Sequence, residues 1–129
     1  MKTILACCLL IAVASGCGPA APNYARSDPW LPAQVQISDD DLRKKTAFGE
    51  PLVSRDAAGL LFVTIPVRAA TDLTLYVDYR TTFMDRAGRP IQQTGWYNKT
   101  LYPNVFDHIQ VNSVSPDAAD FRVDFRYAR

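Results

Sequence analysis

Period-two alternation constrains this chain more than any other feature of its sequence. Leu61, Val63, Ile65 and Val67 alternate with Phe62, Thr64 and Pro66. Leu73, Leu75, Val77, Tyr79, Thr81 and Phe83 then alternate with Thr74, Tyr76, Asp78, Arg80, Thr82 and Met84, and near the end Phe121, Val123, Phe125 and Tyr127 alternate with Arg122, Asp124 and Arg126. Successive side chains of a strand point to opposite faces, so each run reads as a strand with one face buried and one in water. The stretches between fit the same pattern. Asp85 to Arg89 is a polar turn containing Gly88, Pro90 to Tyr102 resumes an extended course with Ile91, Trp96 and Leu101, and the pair reads as a hairpin. Pro103 and Asn104 break the chain, Val105 to Val114 forms another strand, and Ser115 to Asp120 turns. Strands that recur every dozen or so residues without helices between them predict an all-β fold, an antiparallel sandwich.

Before Gly59 the signals are of another kind. Ser38 and Asp39, Asp40 and Asp41 precede Leu42, Arg43, Lys44 and Lys45, acid before base, which complements the helix dipole. One or two helical turns are the most that Pro51 permits; an irregular lead into the first strand satisfies the same residues. Upstream, Gly18 to Pro32 carries four of the nine prolines and reads as an extended tether. The expected organisation is a processed segment over 1–16, a tether over 17–37 and a domain over 38–129.

The processed segment follows from the first residues. Lys2 precedes an apolar run from Ile4 to Ala14, the layout of a secretion signal. That run is too short to span a bilayer, which takes roughly 20 apolar residues. Ala14, Ser15 and Gly16 stand immediately before Cys17, an arrangement that resembles the lipobox of bacterial lipoproteins. The resemblance implies cleavage before Cys17, a diacylglycerol on its sulfur and an acylated amino terminus. Gly18, where aspartate would mark inner-membrane retention, implies the periplasmic face of the outer membrane. More than one acyl chain is what stable anchoring requires.

Charge and cysteine content then remove several function classes. Loss of Lys2 with the leader leaves 13 basic residues against 13 acidic ones, with no excess to attract nucleic acid or anionic lipid. Cys7 and Cys8 leave with the leader and Cys17 carries the lipid, so the domain keeps no thiol for a disulfide, a zinc site or a nucleophile. No metal and no cofactor is expected.

Tyr79-Arg80, Phe83, Asp85, Gly88 and Ile91, then Gly95-Trp96, and finally Pro116, Ala119, Phe121 and Arg122 resemble the YcfL-like family, small bacterial lipoproteins with a conserved domain of unknown function. The likeness covers about Leu42 to Tyr127. It implies an immunoglobulin-like antiparallel β-sandwich, a lipid anchor and no known reaction. Thr81 and Thr82 stand where the family commonly has aromatic residues, and Ala69 to Asp72 replace an asparagine often found there.

Residues with chemical potential are few. His108 is the only histidine, and its neighbour Asp107 points to the opposite face of a strand, a poor geometry for a triad. Asp39, Asp40 and Asp41 lack the alternating spacing of a calcium loop. Trp96, Tyr97, Tyr102 and Phe106 form the richest aromatic stretch; Trp96 in the core with Tyr97 and Tyr102 along an edge is the plain reading, and a ligand or partner contact is the functional one. The expectation is a membrane-anchored, non-enzymatic module that binds an envelope protein or supports an assembly. Its alternative is a small-ligand or glycan-binding lipoprotein, with peptidoglycan as the glycan.

Overall fold

A computed structural model describes residues 32–129. These form two facing sheets, the all-β sandwich that the alternation predicts. The elements run β1 (Val35–Ile37), α1 (Asp40–Lys45), β2 (Thr46–Phe48), β3 (Leu52–Arg55), β4 (Leu61–Ala69), β5 (Leu75–Met84), β6 (Pro90–Gln93), β7 (Tyr97–Leu101), β8 (Asp107–Asn112) and β9 (Asp120–Tyr127). One sheet has the order β1-β9-β5, with β6 and β7 sharing the far edge of β5; the other places β8 on one side of β4 and both β2 and β3 on its other side. Every pairing between these strands is antiparallel except β1 with β9, which is parallel; an isolated parallel bridge also joins Ala69 to Pro103.

The core lies between the sheets. Val63, Ile65 and Val67 of β4, Val77 and Phe83 of β5, and Phe121, Val123 and Phe125 of β9 are all buried there, as the alternation requires. Phe48 of β2 meets Phe125 edge-on at 5.1 Å between ring centroids, joining the two sheets.

Two long strands each face a broken neighbour, and local chemistry explains both breaks. Pro66 has no N–H to donate. Within an antiparallel pair a residue's N–H and C=O point to the same neighbour, and the Pro66 carbonyl accepts from Gly49 N at 2.9 Å, so the missing donor faces the gap between β2 and β3. Backbone approaches closely here, because a Cβ on Gly49 would lie 2.9 Å from the Pro66 Cβ. Between β6 and β7 the Thr94 hydroxyl stands in for a ladder group: Thr94 N donates to the Thr81 carbonyl and Thr81 N donates to Thr94 Oγ1, at 2.9 and 3.0 Å. The extended course expected over Pro90–Tyr102 is therefore two strands.

The domain begins earlier than residue 38. Gln34 accepts from Val123 N at 2.8 Å, and Val35 and Ile37 are buried against β9, so the last residues assigned to the tether are part of the sheet. The helix forms as one short segment. Asp39 caps it by accepting from Asp41 N and Leu42 N, and Leu42 anchors it in the core. Asp56-Ala57-Ala58-Gly59 and Asp85-Arg86-Ala87-Gly88 make matching turns. In each, the aspartate carboxylate accepts two backbone N–H groups and the glycine takes a φ near +80°, which its missing Cβ permits.

Candidate functional site

The register of β9 on β5 builds a ladder of charge on the outer face of their sheet. Burying Phe121, Val123 and Phe125 turns Arg122, Asp124 and Arg126 outward, opposite Thr82, Arg80 and Asp78. Arg80 Nη2 donates to Asp124 Oδ2 at 3.2 Å, Arg122 Nε stands 3.5 Å from Asp124 Oδ1, and Arg126 Nη2 lies 3.4 Å from Asp78 Oδ2. Asn98 of β7 and the backbone N–H of Arg129 also donate to Asp78.

Trp96 lies on this ladder. The chain leaves the sheet between β6 and β7, and the Trp96 ring comes to rest with the guanidinium carbons of Arg126 and Arg80 at 3.8 and 4.6 Å from its centroid. Cation–π contact of this kind strengthens as water is excluded. Here exclusion is substantial: the Nε atoms of Arg80, Arg122 and Arg126 are buried and none has a hydrogen-bond partner among the described residues. The plain expectation that Trp96 fills the core is corrected. The core is already closed by Phe83, Phe125 and their neighbours, and the loop at Gly95 carries the indole to the opposite face.

A groove of about 710 Å³ runs from β1 to Trp96 across this face. Five arginines (43, 80, 122, 126 and 129) line it, with Asp124 as the one acid. Arg43 reaches it from α1, donating Nη2 to the Ile37 carbonyl at 2.6 Å. Arg80, Trp96 and Arg122, met in the sequence as parts of separate resemblance motifs, thus share one surface.

The other aromatics of the expected contact go elsewhere. Tyr97 packs at the sandwich edge, its ring 5.7 Å from Tyr79, which in turn stacks on Phe125 at 6.0 Å. Burial pushes the Tyr79 phenol above its ordinary value of 10.0, and the neighbouring Tyr97 adds to the effect. Tyr102 and Phe106 occupy the connection from β7 to β8, where the Arg68 guanidinium lies 5.6 Å from the Phe106 centroid. Trp96, Tyr97, Tyr102 and Phe106 therefore form no single platform.

His108 is exposed on β8 and its backbone N–H is held by Asp107. The three acids before α1 are engaged separately: Asp39 caps the helix, Asp40 pairs with Arg43 at 3.3 Å, and Asp41 meets Lys45 at 2.8 Å and the Tyr127 hydroxyl at 2.6 Å. Among the described residues no three histidines, cysteines or acids are grouped as metal ligands would be. At the end carrying the two aspartate-glycine turns, Arg55 donates to the carbonyls of Gly59 and Ala118 at 2.9 and 2.8 Å, a brace between a turn and the β8–β9 connection. The expected leader, Cys17 and most of the expected tether lie outside the described residues.

No protein-family model and no curated protein sequence matches the chain. Solved structures do share its fold. The crystal structure of Campylobacter jejuni cj0090 aligns with a TM-score of 0.64 at 14% identity, over 74% of this chain and 98% of the other. A DUF1425 family member from Shewanella sp. pv-4 aligns with a TM-score of 0.59 at 15% identity, over 65% of this chain and 79% of the other. The chain thus has the fold of small domains of unknown function.

Proposed function

We propose that this protein is a lipid-anchored module of the bacterial envelope, related to the YcfL-like lipoproteins, that binds another envelope protein and performs no chemistry of its own. Cys17 carries the anchor, and the periplasmic face of the outer membrane is its place. One observation carries the binding role. Leu73, Tyr102, Val105 and Phe106 stand exposed by 59, 58, 53 and 81% in two connections at one end of the sandwich. Asn104 N donates to the Ala69 carbonyl at 3.2 Å and so ties the two connections together. Exposed apolar side chains gathered in this way mark interaction surfaces more often than they occur by chance.

The position of that end suits a tethered binder. β1 runs parallel to β9, so the chain enters the sheet from the side of the Asp85–Gly88 turn, whereas Leu73 and Tyr102 flank Leu75 and Leu101 at the opposite end. An anchor upstream of β1 leaves the apolar end directed away from its attachment. The glycan alternative has less support, because two arginines already lie against the Trp96 ring and Tyr97 lies tilted against Tyr79, away from Trp96. Crosslinking in cells with the tagged protein, and with Cys17→Ser as control, tests the reading. A specific envelope protein joined only to the anchored form is expected; peptidoglycan as the sole recovered partner contradicts it.

A further inference from the structure

The arginine groove is distinct from the apolar end and has chemistry of its own. We propose that it is a binding site for a phosphate group, whether on a soluble phosphate monoester or on a lipid headgroup. Net charge does not produce it. The whole chain balances 14 basic residues against 13 acidic ones, yet this one surface collects five arginines and a single aspartate. Placement is the cause: β9 and β5 put arginine and aspartate outward at alternate positions, α1 adds Arg43, and the chain after β9 adds Arg129.

The two carboxylates of the ladder do not neutralise the site. Asp124 is shared between Arg80 and Arg122, Asp78 between Arg126, Asn98 and the Arg129 backbone, and Asp40 outside the groove pairs with Arg43, so three carboxylates face five guanidinium groups. Among the described residues the Arg129 guanidinium has neither a hydrogen bond nor an ion pair, and Arg122 has only the long approach of its Nε to Asp124. Their planar forks remain available to oxygen. A guanidinium fork matches phosphate with two parallel hydrogen bonds. Holding several such cations together under an indole, with three buried Nε donors that lack a hydrogen-bond partner, is electrostatically unfavourable until an anion enters.

The shape favours a compact group over an added peptide strand. β1 is the edge strand of this face, and two of the groups an incoming strand would use are already taken: Val35 N donates to the Pro32 carbonyl at 2.9 Å and the Ile37 carbonyl accepts from Arg43. Recognition therefore falls to side chains.

The test uses the full chain carrying Trp30→Phe, which leaves Trp96 as its one tryptophan, and Cys17→Ser, so that vesicle binding does not come from acyl chains. Trp96 emission is followed while glycerol phosphate is added at fixed ionic strength, and in parallel with vesicles of phosphatidylglycerol or of phosphatidylcholine. Saturable change with glycerol phosphate identifies a soluble source, and change with phosphatidylglycerol vesicles alone identifies a headgroup; either supports the site. Arg122→Gln with Arg129→Gln should weaken binding by roughly tenfold or more, and Arg122→Lys should restore only part of it. Circular dichroism of each variant confirms that it remains folded. No saturable response to either phosphate source, or equal binding by the folded double variant, overturns the proposal. So does a response to a glutamate-rich peptide with none to phosphate.

Discussion

Two phenylalanines separate the core from the contact surface, and truncating each in turn gives opposite results. Phe125 is 2% exposed, meets Phe48 edge-on at 5.1 Å and stacks on Tyr79 at 6.0 Å, so Phe125→Ala removes a ring that joins the two sheets and leaves a cavity. Such deletions cost about 3–5 kcal/mol, and β9 lies between β1 and β5, where collapse around the cavity is restricted. For a domain of this size each 1 kcal/mol moves Tm by roughly 4–8 °C, so a fall of more than ~12 °C is expected. Phe106 is 81% exposed, and Phe106→Ala should stay within about 0.5 kcal/mol of the parent. Urea unfolding of the full chain carrying Cys17→Ser, followed by far-UV circular dichroism, measures both. A Phe125→Ala loss below about 1 kcal/mol, or a Phe106→Ala loss above it, refutes this assignment of core and surface.

Other outcomes follow from the same structure. Trp96→Ala should cost about 1–2 kcal/mol, because it strips a half-buried indole from Arg80 and Arg126; a melt that matches the parent would mean the stack contributes nothing. The Lys45 ammonium and Tyr127 hydroxyl hold the Asp41 carboxyl below its ordinary 3.8. That contribution is present above the unfolded-state value and is lost as pH falls through the lower folded one, so Asp41→Asn should be less stable than the parent at about pH 5 and converge with it in stronger acid. Urea midpoints across that range check the sign, and a difference that grows toward low pH contradicts it. Cys17→Ser should abolish fatty-acid labelling, and label retained on that variant would refute the anchor.

Much of the fold was legible because long strands display their period. β4 and β9 each run for eight residues or more and alternate in burial almost without exception, whereas β5 shows the period in its sequence but also buries Asp78 and Thr82 on its outer face. β1 and β2 have three residues each, too few to show a period, and β3 is exposed at every position. Those strands are fixed by pairing with a longer neighbour, which no local pattern reveals. The boundary at residue 38 was late for the same reason, since Val35 and Ile37 look like tether until β9 covers them. The short helix was written in its own residues, by an acidic cap and basic end.

The groove was legible in its parts and not in its assembly. Asp78, Arg80, Arg122, Asp124 and Arg126 could each be placed on the wet face of a strand, but the register that interleaves them joins positions 44 and 48 residues apart. Trp96 was misplaced because the extended course through Pro90–Tyr102 hid the break. Its local signal was Thr94-Gly95, a hydroxyl able to replace a ladder group followed by a residue that lets the chain turn out. Tyr102 and Phe106 share the richest aromatic stretch of the sequence with Trp96 and Tyr97, and their exposure keeps them as contact candidates while Tyr97 and Trp96 belong to other surroundings.

The central claim is that the apolar end meets an envelope protein while the chain is anchored. A photo-crosslinking amino acid placed at Phe106, compared with the same group at exposed Arg86 in the turn at the opposite end, tests it most directly. The account predicts one discrete protein adduct from position 106 in living cells, absent from position 86 and lost with Cys17→Ser. An adduct of equal yield from position 86, or from position 106 without the anchor, would contradict it.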